Sequence, residues 1–75
     1  MERYGNRSGK SGVVAYGIHA DAIDVTFVDG VTYRYTHARP GRAHVEAMKT
    51  LALAGSGLSG YIARYVREAY DGKSA

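Results

Sequence analysis

Two stretches that alternate apolar and polar residues, one on each side of an Asp-Gly pair, constrain this chain more than any other feature in it. Ile23-Asp24-Val25-Thr26-Phe27 reads as a strand buried on one face, and so does Val31-Thr32-Tyr33-Arg34-Tyr35-Thr36. Asp29-Gly30 between them is a hairpin signal. Which side chains must share a face then decides the register. A two-residue loop would set Ile23, Val25 and Phe27 beside Thr32, Arg34 and Thr36, mixing an apolar face with a polar one. A three-residue loop, Val28-Asp29-Gly30, shifts the pairing by one. Phe27 then opposes Val31, Val25 opposes Tyr33 and Ile23 opposes Tyr35, all on one side. Asp24 opposite Arg34 and Thr26 opposite Thr32 fall on the other side, an opposite-charge pair and a hydroxyl pair. A slip of one residue turns every side chain to the wrong face, so the three-residue register is expected. Gly30 then takes the left-handed position such loops need.

The rest of the chain attaches to this hairpin. Val13-Val14-Ala15-Tyr16-Gly17-Ile18 is an apolar run fit for a first strand, and His19 to Ala22 is a turn. Residues 1–12 are rich in Gly and Ser, carry Arg3, Arg7 and Lys10, and lack apolar periodicity. They read as a flexible basic arm. Pro40-Gly41 breaks the last strand, and Pro40 suits the first turn of a helix. Arg42 to Ala54 places Val45, Met48, Leu51 and Ala52 at helical spacing. Gly55-Ser56-Gly57 ends that helix, and Ser56 or Ser59 can cap the next. From Leu58 onward Ile62, Val66 and Ala69 form an inner stripe, with Tyr65 on its flank and Tyr61, Arg64 and Glu68 outside. Gly72 is read as its C-cap and residues 73–75 as a frayed tail. The expected fold is α+β: a small three-stranded antiparallel sheet, in the order β-β-β-α-α, with two helices packed on one face. One domain covers residues 13–72, with the first strand at a sheet edge open to a second copy of the chain.

Composition narrows the function classes. With 75 residues there is room for one thin core. The chain has no cysteine, so no disulfide framework and no Cys-based zinc site can form. Leu51 to Ala54, its longest apolar stretch, cannot span a bilayer, and the polar first residues do not form a signal peptide. A cytoplasmic location with no membrane partner is the expectation. Net charge is +3, from ten Lys and Arg against seven Asp and Glu, and seven of the ten are Arg. The guanidinium fork fits phosphate and carboxylate alike. Seven Tyr and no Trp supply amphipathic rings that serve in cores and at interfaces.

Taken in order, Ala15-Tyr16-Gly17, Ile23 to Phe27, Asp29-Gly30, the pair Tyr33-Arg34-Tyr35, Pro40, and then Ser56-Gly57, Tyr61, Val66 and Tyr70 resemble the KTSC domain. That short module is named for the C-terminal extension of some lysyl-tRNA synthetases and also occurs as a stand-alone bacterial or phage protein. The resemblance covers about Ser11 to Tyr70. It departs at Arg39-Pro40, where the family usually has Val-Pro. It departs again at Ala63, where a polar residue usually follows the aromatic pair of the last helix. The resemblance implies the α+β fold and, by association with the synthetase, an RNA-binding role.

Three motifs are weighed against simpler readings. Gly5-Asn6-Arg7-Ser8-Gly9-Lys10-Ser11 is not a P-loop: it has three residues between its glycines instead of four, and no strand precedes it. His19, His37 and His44 lack zinc spacing and a nucleophile partner, so they read as surface or capping residues, with no catalytic residue, metal or cofactor expected. Tyr33 and Tyr35 could stack bases on an open sheet, but the register turns both inward, where core packing is expected. Arg39, Arg42, Lys49, Arg64 and Arg67, with Tyr61, are the candidate contacts to a partner. Arg39 and Arg42 flank a helix start, where free N–H groups also favour anions. The expected function is a non-enzymatic module binding nucleic acid, foremost RNA, through this Arg-rich surface. The alternative is a protein-interaction module, for instance a phage-encoded inhibitor of a host complex.

Overall fold

The computed structural model describes residues 1–7, 9 and 11–74. The architecture is α+β: an antiparallel sheet with two helical segments. Among the described residues the sheet has five strands, not the three expected. They run in chain order as a meander: β1 (Glu2–Arg3), β2 (Val13–His19), β3 (Ala22–Phe27), β4 (Thr32–Thr36) and β5 (Gly72–Ser74). Both additional strands come from segments read as arm and tail. Two- and three-residue strands carry too little alternation to show in a sequence; pairing with an existing edge creates them. Ser8 and Lys10 of the expected arm and Ala75 of the expected tail lie outside the described residues.

The central hairpin has the register the side chains demand. Ile23 pairs with Tyr35, Asp24 with Arg34, Val25 with Tyr33 and Thr26 with Thr32. The Phe27 N–H donates to the Val31 carbonyl at 3.0 Å, and Gly30 turns the chain at φ +88°. A β-bulge in β2 between Val13 and Ala15 resolves a parity problem. Val13 and Tyr16 are three residues apart and would face opposite sides of a regular strand; with the bulge both are buried.

Helix α1 (Arg42–Ala54) buries Val45, Met48 and Ala52 and ends on Gly55, as its spacing predicts. Pro40 stands outside it, because Gly41 is the N-cap. Helix α2 (Leu58–Tyr61) runs on as a π-helical turn, Ile62–Val66, and buries Leu58, Ile62 and Val66. It is shorter than its apolar stripe suggests. Arg67, at φ +28°, ends it, so Ala69 packs on the core from beyond the helix, and Gly72 opens β5 instead of capping.

Neither Ser56 nor Ser59 caps α2, whose N-cap Gly57 offers no side chain. The N-terminal segment supplies what is missing. The Leu58 N–H donates to the hydroxyl of buried Tyr4 at 3.2 Å. Arg7 serves the other side of the same loop, its Nε donating to the Ala54 carbonyl at 2.9 Å and its backbone N–H to that of Gly55 at 2.8 Å. One core results, joining Tyr4, the inner sides of β2, β3 and β4, and both helical segments. β1 covers the β2 edge at Ala15 and Tyr16, so the first strand of the expected sheet is an inner strand.

Candidate functional site

Tyr33 and Tyr35 both turn toward the helices. Tyr35 is 1% exposed, and burial pushes its phenol up to about 12. Tyr33 is half-buried and belongs to an aromatic group. Its ring meets Phe27 edge-on at 5.6 Å and Tyr70 at 4.9 Å, with the Lys73 ammonium 6.0 Å from its centroid. These residues wall a cleft of ≈ 440 Å³ whose rim carries Arg67 and Lys73 but also Asp29 and Glu68. Its charges balance.

The opposite face of the sheet holds no Tyr or Phe among the described residues. The Arg34 guanidinium grips the Asp24 carboxylate with two hydrogen bonds, 2.7 and 2.8 Å, and His19 adds a third at 3.1 Å. These bonds, Arg34 foremost, hold the Asp24 carboxyl below its usual range. The Thr26 and Thr32 hydroxyls sit 2.7 Å apart beside this pair.

Structure sorts the candidate cations. Lys49 is only 12% exposed at its side chain. It pairs with Glu46 at 2.9 Å and donates to the Ala20 carbonyl at 3.3 Å, so it is committed to the fold. Glu46 also meets His37 at 2.8 Å, and these two partners, Lys49 first, depress its carboxyl. Arg39, Arg42, Arg64 and Arg67 are exposed and form no ion pair among the described residues. Arg64 and Arg67 line different clefts. Arg67 leaves the helix at a positive φ and reaches the larger cleft, so it does not share a helix face with Arg64. Arg39 and Arg42 flank the start of α1, whose first turn has no acidic residue.

Arg64 stands in a second cleft, of ≈ 370 Å³, with Leu51, Gly57, Gly60, Tyr61 and Tyr65. Tyr61 is half-buried, and its hydroxyl meets His44 Nδ1 at 2.7 Å. Tyr65 is 56% exposed, with the Tyr61 ring at 4.7 Å and the His44 ring at 6.4 Å, tilted only 28° from parallel. Sequence pattern alone reads His44 as a surface or capping histidine and sets Tyr65 on the flank of the inner stripe; it does not bring the two together. The signal existed: His44 and Leu51 are seven apart on α1, and Tyr61 and Tyr65 are four apart on the next helix, the spacings that align a face.

Fold and surface together define a small α+β domain with a meander sheet, one helix-covered face and two aromatic clefts. No family model, no curated protein and no solved structure matches this chain. Among the described residues no group of three or more His, Asp or Glu side chains could hold a metal ion, and no helix is long and apolar enough to cross a membrane.

Proposed function

We propose that this chain is a non-enzymatic binding module of the KTSC type that holds single-stranded RNA along its helices, chiefly through arginine. One observation carries the reading: where charge is paired and where it is left open. Asp24 and Glu46 take up Arg34, His19, Lys49 and His37. Arg39, Arg42, Arg64 and Arg67 keep no carboxylate partner among the described residues, and Arg64 shares a cleft with an exposed tyrosine. Unpaired guanidinium groups beside an open ring suit a backbone of phosphates carrying stackable bases. The sheet is no platform for bases, since its tyrosines face the core.

Fluorescence anisotropy with a labelled single-stranded RNA tests this. Affinity should fall with salt, and each Arg→Gln change at positions 39, 42, 64 and 67 should flatten the log–log salt slope by about 0.7. Absence of binding at low salt, or binding indifferent to salt, sinks the reading. A protein-interaction module is the alternative reading. A nuclease-treated pull-down that yields a stoichiometric protein complex would establish that alternative.

A further inference from the structure

Gly60 is the third residue of α2, in helical backbone, where glycine is a poor choice because it loses more chain entropy than alanine on ordering. The fold gives no reason for it. Its φ lies outside the left-handed region, unlike those of Gly30, Gly55 and Gly57. A Cβ added at Gly60 would meet nothing within 4 Å. The bare backbone opens onto the cleft of Tyr61, Arg64 and Tyr65.

We propose that this cleft seats one nucleotide of a single RNA strand: the base on the Tyr65 ring, the phosphate on Arg64, and the sugar in the space left by the missing side chain of Gly60. The proposal rests on the RNA reading above and deepens it to a site. Three further observations support it. Tyr65 is the one exposed tyrosine of the chain, yet its ring is braced by Tyr61 and His44, so stacking on it orders little that is not already held. The cleft, at ≈ 370 Å³, is on the scale of a small-ligand site. Among the described residues no carboxylate lines it, whereas Asp29 and Glu68 line the larger cleft beside Arg67 and Lys73. A polyanion therefore meets unopposed positive charge at the first and a balanced set of charges at the second.

Gly60→Ala separates binding from folding. The variant should melt higher by roughly 4 °C, since alanine favours the helix. It should bind a labelled oligouridylate of about ten nucleotides roughly tenfold more weakly. Tyr65→Leu should weaken binding by a similar factor without changing the salt slope, and Arg64→Gln should flatten the slope. In the wild-type chain, the amide resonances of Gly57 to Tyr65 should shift on addition of the oligouridylate, a readout that needs no variant. If the wild type shows salt-dependent binding while Gly60→Ala binds equally well, or if the shifts cluster elsewhere, the cleft is not the seat and the RNA reading survives. If the wild type shows no salt-dependent binding, both fall together.

Discussion

Replacing Tyr4 by phenylalanine removes one hydroxyl, and the structure says what that hydroxyl does. Leu58 is the first residue of α2, so its N–H has no acceptor within the helix. Gly57 cannot offer one from a side chain. The Tyr4 oxygen, 54 positions away in sequence, accepts this hydrogen bond at 3.2 Å, with Tyr4 4% exposed and Leu58 fully buried. Phenylalanine keeps the ring and orphans the N–H. Leaving a buried donor unsatisfied costs about 1–3 kcal/mol. In a domain this small each kcal/mol moves Tm by about 4–8 °C, so the melt should drop by roughly 4–24 °C. Tyr4→Ala also deletes the ring, adding about 3–5 kcal/mol. That sum rivals the whole stability of a 75-residue domain, roughly 4–11 kcal/mol, so the alanine variant should be largely unfolded at room temperature. Thermal and urea denaturation followed by circular dichroism measure both, with the urea slope of Tyr4→Phe unchanged. A Tyr4→Phe melt within about 1 °C of wild type would refute the reasoning, because Leu58 would then not depend on Tyr4.

Three further outcomes follow from the geometry. Asp24 is held ionised by Arg34, so folding favours its deprotonated form; the resulting stability is complete above the ordinary carboxylate range and is lost as pH falls through the lowered value. The effect is small because Arg34 is more than half exposed and water screens the pair. An Asp24 carboxyl titrating at its ordinary position by NMR would contradict it. Tyr35, raised to about 12 mainly by burial, should ionise well above the ordinary phenol value in an ultraviolet titration. Its contribution to stability is complete below the unfolded phenol value and fades as pH rises to about 12; a Tyr35 phenol that ionises at the ordinary value would count against it. Gly55→Ala should lower stability by more than about 1 kcal/mol in urea denaturation. It forces a positive φ of +72° on a side chain, and the new Cβ would lie 3.2 Å from Gly5 Cα. A neutral effect would mean that the N-terminal segment does not pack there.

Arg67 shows how far the candidate site could be read without coordinates. Sequence spacing placed it one turn from Arg64, which holds only while the helix continues. The π-turn and the positive φ at Arg67 send the two arginines to different clefts. Charge alone makes Lys49 a candidate contact, and only its contacts with Glu46 and the Ala20 carbonyl show that the charge is already engaged. The cluster of His44, Tyr61 and Tyr65 needed two helices brought side by side, and neither helix alone displays it.

The hairpin register, the span of α1 and the inward turn of Tyr33 and Tyr35 were determined by the sequence alone. Each follows from local periodicity and from the cost of turning an apolar face to water, terms that act within a few residues. The outer strands, the capping of α2 by Tyr4 and the early end of the last helix were decided by tertiary structure. These depend on unpaired backbone groups finding partners across the whole chain, as Leu58 does with Tyr4. Such matches are a property of the assembled surface, and no window of neighbouring residues contains them.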